Sequence, residues 1–433
     1  MSTAAPTTAA PKHAEKARRT ADRIADHLRD PLNLAPPKPD APLVSLASGF
    51  AGLSLLHTSR ATGGDAEERA AAHRYLSAAA AAMKQLPTPR FGLHYDLCGL
   101  GFAVALAQGA GGGYGRALES LDAEAVQATH AICEHVESEP LGSMTRFDAL
   151  EGLAGITRHL LLRGLGGDGA TERALTCLTA MVEPAEHHGE HVPRFWSTSP
   201  PNWHPRTAPA VRELGHLNLG LAHGIAGPLA VLSTAFAEGA AVPGQASAIA
   251  RIVGLLERFR GEDRYGTFWP NYVSLAQWAD PSIPHVRSRV SWCYGAPGVS
   301  RALQIAGRAL GEESWLRTAQ ASVDALCDLP LDLWHVDHWS FCHGWAGNMH
   351  VLRHFTDGPN GGRVTALVDT AAEQIIDTFE DGLPAPFEIG LAYLTPGNEP
   401  AGLLEGVSGL ALALRSYADP GEPTPWDSAF LVS

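Results

Sequence analysis

Three side chains in two short segments of the chain are typical ligands of transition metals. Residues 292–295 read Trp-Cys-Tyr-Gly, and residues 341–344 read Phe-Cys-His-Gly. The thiols of Cys293 and Cys342 and the imidazole of His343 make three of the four ligands of a tetrahedral zinc ion, which leaves one position open for chemistry. Because the two cysteines are 49 residues apart, they form one site only if the fold brings their segments together.

A repeated pattern indicates how the fold positions these segments. Seven times the chain presents a glycine pair followed by an apolar run with helical spacing. The copies begin roughly 50 to 70 residues apart, which is enough for two helices and their loops. The pattern predicts an all-α fold of about seven helical-hairpin repeats, each with Gly-x-x-Gly at the start of its inner helix. The copies are Gly49–Gly52, a degenerate one at Cys98–Gly101, Gly152–Gly155, Gly224–Gly227, Gly295–Gly298, Gly344–Gly347 and Gly406–Gly409.

The reactive side chains precede the first glycine of several copies. We call the short segment that ends at this glycine the lead-in loop of the copy. Stacked helical hairpins place such loops at one end of the array, where neighbouring loops meet. Repeats three to six would therefore pool one set of groups: Asp148, His223, Arg289, Cys293, Tyr294, Cys342 and His343. Closure of the array into a ring does not follow from the spacing.

The motifs around these residues resemble those of the lanthionine synthetase C-like family. They are Phe-Asp-x-x-Glu-Gly-x-x-Gly from Phe147, Asn-Leu-Gly-x-Ala-His-Gly-x-x-Gly from Asn218, Arg-x-x-Trp-Cys-Tyr-Gly from Arg289 and Cys-His-Gly-x-x-Gly from Cys342, followed by Pro-Trp-Asp from Pro425. The resemblance runs from about residue 40 to the end of the chain, in the family's order. It implies a closed α/α toroid with zinc at its centre, and a reaction that makes thioether rings in peptides.

The resemblance implies one Zn²⁺ per chain, held by Cys293, Cys342 and His343. The activity expected is that of a lanthipeptide cyclase, in which a zinc-bound substrate cysteine adds to dehydroalanine or dehydrobutyrine in a Michael-type reaction. Zinc deprotonates a thiol, whereas a free cysteine is mostly protonated at neutral pH. The addition generates an enolate, which needs a proton donor and nearby positive charge.

The remaining polar residues would serve this proton transfer. His223 would take the proton of the substrate thiol or protonate the enolate, and the sequence does not choose between the two. Asp148 would orient His223 and stabilise its protonated form. Arg289 would hold the enolate or anchor Asp148 through a bidentate contact, and Tyr294 would donate a hydrogen bond into the site.

The domain prediction separates residues 1–42 from one catalytic toroid over residues 43–433. The first part combines a flexible lead, a helix near Ala14 to Arg29 and a Pro-rich linker. Between about residues 183 and 214 the helical period fails, which indicates a loop insertion overhanging the site. The chain has neither a signal-peptide pattern nor an apolar run long enough to span a membrane, so a cytoplasmic protein is expected, free or peripheral to a membrane-associated biosynthetic complex.

The expected partners are a dehydrated ribosomal precursor peptide, a separate dehydratase and an exporter. A net charge of −14 argues against nonspecific nucleic-acid binding and favours a basic peptide. Two other functions stay open: addition of glutathione-type thiols to dehydrated residues, and a non-enzymatic, zinc-stabilised scaffold for the dehydratase.

Several other residues have simpler interpretations. Packing is expected for Cys98, Cys133, Cys177 and Cys327, a solvated loop for His187, His188 and His191, and helix capping for Glu151 and Glu405. Trp292, Trp339 and Trp345 would line a peptide groove or pack in the wall.

Overall fold

The computed structural model describes residues 10–61, 64–167, 169–201, 209–384, 386–390 and 398–433, and this part of the chain is mostly helical. Seven helices follow the glycine pairs, and we call them inner helices. They are α2 (Phe50–Arg60), α4 (Leu97–Gly109), α6 (Leu153–Arg163), α9 (Ala226–Ala237), α12 (Ala296–Leu310), α14 (Trp345–Leu352) and α16 (Val407–Ala418). The remaining α-helices are α1 (Ala14–Leu28), α3 (Ala66–Met83), α5 (Gly115–Ser138), α7 (Ala170–Ala180), α8 (Pro209–Leu214), α10 (Gln245–Arg258), α11 (Leu275–Ala279), α13 (Glu313–Leu326) and α15 (Gly361–Thr378).

The second glycine of each pair is required by a close backbone contact. Each lead-in loop folds back over the first turn of its helix, so that a carbonyl six residues earlier occupies the space of a Cβ atom. A Cβ at Gly409 would lie 1.8 Å from the oxygen of Leu403, and one at Gly347 would lie 1.9 Å from the oxygen of Phe341. Only glycine fits such a position.

The same contact corrects the register of the second repeat. A Cβ at Gly99 would lie 2.8 Å from the oxygen of Leu93, so Gly99 is the second residue of the pair, not the first. Asp96 occupies the position of the first glycine and is the N-cap residue of α4. The residue that precedes it is Tyr95, which the misaligned register had hidden.

Each inner helix packs against an outer helix. Six of these are α3, α5, α7, α10, α13 and α15, each following its inner partner in the chain. The seventh is α1, which packs against α16 and buries Ala17, Ala21, Ile24 and Leu28 on one face. The start of the helix agrees with the sequence prediction, and the packing ties the helix to the last repeat.

The inner helices contact one another in a cyclic order, which ends with α16 against α2. Backbone hydrogen bonds join the seven lead-in loops in the same order. The donor N–H and acceptor C=O groups are Ala47 to His94 (2.9 Å), His94 to Leu150 (3.0 Å), Ala149 to Ala222 (2.9 Å), Leu221 to Cys293 (3.1 Å), Cys293 to Cys342 (3.2 Å), Cys342 to Leu404 (2.9 Å) and Leu404 to Ala47 (2.8 Å). The last bond returns to the first loop, a closure that the sequence spacing did not predict.

Short strands interrupt the helical pattern, so the prediction of an all-α fold is too strict. In the expected loop insertion, β1 (Pro184–His187) and β2 (Glu190–Pro193) form an antiparallel hairpin, with Pro184 opposite Pro193. Next, β3 (Trp196–Ser197), β4 (His216–Asn218) and β7 (Tyr272–Ser274) form a three-stranded sheet in that order. The antiparallel pair β5 (Gly261–Asp263) and β6 (Gly266–Phe268) and the parallel pair β8 (Phe387–Glu388) and β9 (Glu399–Pro400) complete the strands described. Residues 202–208 of the insertion lie outside the described residues.

The C-terminal residues pack into the core behind the lead-in loops. A 3₁₀ segment covers Pro425–Phe430 and is largely buried. The backbone oxygen of Phe430 accepts a hydrogen bond from Nε1 of Trp292 at 2.9 Å, and that of Ala429 accepts one from Nε2 of His94 at 2.8 Å. Trp292 is therefore a core residue that supports the Cys293 loop from behind.

Candidate metal centre

The fold brings Cys293, Cys342 and His343 together. Their potential ligand atoms all lie within 4.8 Å of one another. In a tetrahedral site with Zn–S bonds of about 2.3 Å, ligand atoms are about 3.8 Å apart. Small side-chain shifts would therefore bring the three atoms to the spacing that zinc requires. The donor set of two thiols and one imidazole matches the preference of zinc for sulfur and nitrogen.

The two thiols are electrostatically prepared for metal binding. A hydrogen bond between them lowers the pKa of Cys293 to about 7, even though burial acts in the opposite direction. The same bond, together with burial, raises the pKa of Cys342. The pair thus holds one proton tightly and releases the other near neutral pH, and a metal ion would displace the remaining one. Burial lowers the pKa of His343, which keeps its imidazole in the neutral, ligating form.

The hydroxyl of Ser291 supports the Cys293 loop. Its Oγ lies 3.4 Å from Sγ of Cys293. It accepts a hydrogen bond from the backbone N–H of Tyr294 at 3.2 Å and donates one to the backbone oxygen of Tyr294 at 2.8 Å. Gly295 follows with φ of +90° and would place a Cβ 2.3 Å from the oxygen of Arg289. This tight turn aims Cys293 and Tyr294 into the site.

His223 and Asp148 form a hydrogen-bonded pair. Nδ1 of His223 donates to Oδ2 of Asp148 at 2.6 Å, and the Asp148 side chain is fully buried. Its other oxygen, Oδ1, accepts the backbone N–H groups of Leu150, Glu151 and Gly152 at 3.1, 2.7 and 2.8 Å. Asp148 therefore fixes its own lead-in loop with one oxygen and orients His223 with the other.

The charge of Asp148 determines the protonation of His223. Burial alone lowers the pKa of His223, but the hydrogen bond and the charge of Asp148 outweigh it, and the pKa is raised above its ordinary 6.5. The negative charge of the nearby Cys293 acts in the same direction. The imidazole is consequently able to carry a proton near neutral pH and to deliver it.

Arg289 lies near the metal-ligand group but does not anchor Asp148. Its positive charge acts to lower the pKa of both Cys293 and Cys342. Among the described residues Asp148 is paired with His223 and three backbone amides, with no bond to Arg289. Arg289 therefore makes no bidentate contact with Asp148 in the described structure, and its positive charge acts on the two thiols.

Tyr294 is held beside Cys293 by Asn218. The hydroxyl of Tyr294 accepts a hydrogen bond from Nδ2 of Asn218 at 3.1 Å. Burial raises the pKa of Tyr294, so the hydroxyl stays protonated and retains its own hydrogen.

Sequence reasoning missed Tyr95 and the interaction of Glu151 with Asp148. With the corrected register, both residues occupy the position that His223, Tyr294 and His343 occupy in their own repeats. Burial together with the charge of Asp148 raises the pKa of Glu151, and the Tyr95 side chain acts in the opposite direction. The charges of Glu151 and Asp148 therefore interact, in addition to the position of Glu151 at the start of α6. The signal that could have revealed Tyr95 is the spacing of Asp96 and Gly99.

The simpler interpretations of several residues agree with their surroundings. Cys98, Cys133 and Cys177 are buried, and Cys327 is half-buried. The histidines of the insertion lie on the hairpin of β1 and β2, where His188 and His191 are exposed. A second group of potential metal ligands, His350, His354 and Asp427, was not recognised from the sequence.

The chain belongs to the lanthionine synthetase C-like family, because the family model described as "Lanthionine synthetase C-like protein" matches residues 43–431. The nisin biosynthesis protein NisC of Lactococcus lactis subsp. lactis is 24% identical over 308 residues, which is 70% of this chain and 68% of that protein. A solved structure of nisin cyclase matches with a TM-score of 0.73 at 20% identity and covers 96% of this chain and 97% of the other. The family that the motifs indicated is confirmed, and the structural match shows a shared fold.

In the part of the chain that the structure describes, none of the helices combines the length and the apolar character needed to cross a membrane.

Proposed function

We propose that this protein is a zinc-dependent lanthipeptide cyclase that forms lanthionine and methyllanthionine rings in a dehydrated precursor peptide. The observation that carries the proposal is the convergence of Cys293, Cys342 and His343, with ligand atoms within 4.8 Å, in the same circle of lead-in loops as the His223–Asp148 pair. A structural zinc site is ordinarily closed by four protein ligands, whereas three leave a position for substrate.

The proposed architecture is a closed α/α toroid, with residues 43–433 as one catalytic body. The cyclic packing of the inner helices and the closed circle of backbone hydrogen bonds support it. In this arrangement the lead-in loops meet around a common centre. One zinc ion per chain would be held there by Cys293, Cys342 and His343.

The residues of the chain divide the chemistry among them. Bound zinc would supply the positive charge that turns a substrate cysteine into a thiolate nucleophile. Because Nδ1 of His223 donates to Asp148, Nε2 is the atom that exchanges protons with the substrate. As the imidazolium, His223 would give its Nε2 proton to the enolate carbon, and as the neutral imidazole it would take a proton from the incoming thiol. Arg289 contributes positive charge beside the thiols, where it would offset the developing charge of the enolate. Tyr294 offers a hydroxyl donor on the same side as Cys293.

The partners follow from this reaction. The substrate would be a ribosomal peptide whose serines and threonines a separate dehydratase has converted to alkenes, and an exporter would remove the product. The activity would be cytoplasmic, free or peripheral to a membrane-associated complex. The net charge of −14 favours a basic peptide over nucleic acid.

The test is a cyclisation assay with a peptide that carries dehydroalanine and cysteine. Ring formation leaves the mass unchanged but consumes a thiol, so products are alkylated and the remaining thiols are counted by mass spectrometry. We expect loss of alkylated species with the parent protein. Cys342→Ala should lose the zinc ion of the thiolate site together with the activity, and Cys327→Ala, the matched control at a half-buried thiol outside the site, should change neither.

Two outcomes would redirect the proposal. Addition of glutathione in preference to the peptide's own cysteine would favour an intermolecular thiol transferase. A zinc-loaded parent with no thiol consumption, in the presence of a competent dehydrated peptide, would favour a scaffold for the dehydratase.

A further inference from the structure

A second cluster of metal-binding side chains lies at the far end of α14. His350 is in the last turn of this helix, and His354 follows four residues later in a 3₁₀ turn, so both imidazoles project on the same side. Asp427 comes from the buried C-terminal segment Pro425–Phe430. The ligand atoms of these three residues all lie within 4.8 Å of one another.

His354 is the member of the cluster that lacks a partner. Its Nε2 atom is buried and makes no hydrogen bond. A buried polar nitrogen without a partner is costly. The cost disappears if the nitrogen binds a cation. Burial and the nearby charge of Arg301 lower the pKa of His354 well below 6.5, so the imidazole is neutral and its lone pair is available.

The other two donors are held together by a hydrogen bond. Nε2 of His350 donates to Oδ2 of Asp427 at 2.8 Å. An ion bound by both would displace this proton and move the two atoms slightly apart, because tetrahedral ligands with bonds of about 2.0 Å are about 3.3 Å from one another. Hydrogen bonds from Thr424 (2.8 Å) and Ser433 (2.5 Å) orient the Asp427 carboxylate. Supporting bonds of this kind are typical around metal ligands.

The cluster opens onto a cavity of about 630 Å³ whose wall includes His350, His354 and Asp427. Further polar groups on the wall are Thr356, Thr365 and Tyr417. The cavity gives a metal ion a path from solvent and room for water ligands. Two imidazoles and one carboxylate with open positions are typical of divalent first-row transition metals.

Two cationic side chains oppose a metal ion at this place: Arg301, whose charge acts on His354, and Arg353. Nη1 of Arg353 lies 3.3 Å from Nδ1 of His350, so the guanidinium both repels a metal and favours a proton on Nε2 of His350. Arg353 also lines the cavity, together with the carboxylates of Asp357, Asp369 and Glu422. Metal binding would therefore require Arg353 to turn into the cavity, where acidic groups can receive it.

We propose that His350, His354 and Asp427 form a second divalent-metal site, distinct from the Cys293–Cys342–His343 group, that fastens the C-terminal segment to the end of α14. The ion would be Zn²⁺ or another first-row dication. Because α14 begins two residues after His343, and Phe430 of the C-terminal segment stacks on Phe341 at 3.7 Å between ring centroids, such an ion would brace the loop that carries Cys342 and His343.

The test measures bound zinc per chain by elemental analysis after equilibrium dialysis over a range of free Zn²⁺. We expect two zinc ions in the parent, one in Cys342→Ala and none in Cys342→Ala combined with His354→Gln. His354→Gln alone should raise the dissociation constant of the second ion by about 100-fold or more. Arg353→Gln should lower the dissociation constant of the second ion by about tenfold, because a like charge is removed. A purely structural role of the cluster predicts no such increase in affinity for zinc.

A matched control separates the site from a general effect of removing a buried imidazole. His159→Gln alters another buried histidine whose ring nitrogens lack hydrogen bonds but which is in neither ligand group, and it should bind two ions like the parent. Circular dichroism checks the fold of each variant. If His354→Gln does not fold, Thr424→Val, which removes only a hydrogen bond to Asp427, should weaken the second ion by about 10- to 100-fold.

The proposal would be overturned if Cys342→Ala bound no zinc. It would also be overturned if His354→Gln and Thr424→Val left the binding of the second ion unchanged. Neither result bears on the thiolate site, because that site is measured independently by the ion lost in Cys342→Ala.

Discussion

At the scale of single residues, the candidate site depends on neighbours that set opposite protonation states. Asp148 raises the pKa of the buried His223, while the shared hydrogen bond with Cys342 lowers the pKa of Cys293 to about 7. An imidazole in this position can carry a proton to a bound substrate, and a thiol that loses its proton near neutral pH can ligate a metal ion.

The substitution Asp148→Asn tests the electrostatic part of this arrangement. An amide oxygen can still accept the three backbone N–H groups that Asp148 caps, so the loop is retained while the charge is lost. Burial then dominates, and we expect the pKa of His223 to fall. The limb of the pH–rate profile that reports His223 should move to lower pH, and kcat should fall by about 10²- to 10⁴-fold, the range for loss of general acid–base catalysis.

The direction of that limb assigns the role of His223. If His223 is the acid, activity decreases as the pH rises through its pKa; if it is the base, activity increases. Glu183→Gln, at a carboxylate exposed on the protein surface and paired with Arg251, is the control. An unshifted limb in Asp148→Asn would mean that Asp148 does not control the protonation of His223.

At the scale of elements, the sequence predicted the helices better than their connections. Glycine pairs and apolar periodicity are local signals, and six of the seven inner helices begin where these signals place them. The second repeat was misaligned because Asp96 replaces the first glycine, and the contact between Gly99 and Leu93 reveals the correct register. The hairpin of β1 and β2 was missed because its strands, at four residues each, are too short to show an alternating pattern.

The site was predictable for a related reason. Cys293, Cys342 and His343 stand at fixed offsets from glycines, so the repeat itself superimposes them. The donors His350 and Asp427 come from a helix end and from the C-terminal segment, and no periodic signal connects residues 77 positions apart.

The first three helices are joined by one buried carboxylate, Glu68 of α3. It lies 2.6 Å from Nδ1 of His57 in α2, 2.7 Å from Nε of Arg60 and 3.0 Å from Nη2 of Arg29 at the end of α1. Burial alone would raise the pKa of Glu68, but these three partners lower it from 4.5 to about 2.

We expect Glu68→Gln to destabilise the protein by about 3 kcal/mol at neutral pH, since one pKa unit corresponds to about 1.4 kcal/mol. The lowered pKa means that this contribution is complete above pH 4.5 and is lost as the pH falls towards about 2. The difference in the free energy of unfolding between parent and variant should therefore shrink over that interval. Denaturant titrations at several pH values measure it.

Glu67→Gln, at the exposed neighbouring carboxylate, is the matched control and should change stability little. A Glu68→Gln deficit that stays constant between neutral pH and pH 3 would contradict the electrostatic explanation and favour a packing defect.

At the scale of the whole molecule, the decisive feature is that the last repeat bonds to the first. In an open array of helical hairpins each repeat contacts only its neighbours, so the terminal repeats fray and the array unfolds from its ends. Here the N–H of Leu404 donates to Ala47 at 2.8 Å, and α1 from the beginning of the chain packs on α16 near its end. The first and last of the seven described repeats are therefore in contact.

Native-state hydrogen exchange tests this closure through the amides of the backbone circle. The N–H groups of Leu404 and Ala47 link the first, second and last loops. If the circle is closed, their hydrogen bonds break only together with those of Cys293 and Cys342 in the middle of the array. All four should then exchange with similar free energies, near that of global unfolding. If the array is open in solution, the amide of Leu404 lacks its partner and exchanges about 100-fold or more faster than that of Cys293. The comparison is made in one sample, so the protection of Cys293 is the internal reference, and zinc removal separates protection due to the ring from protection due to the metal ligands.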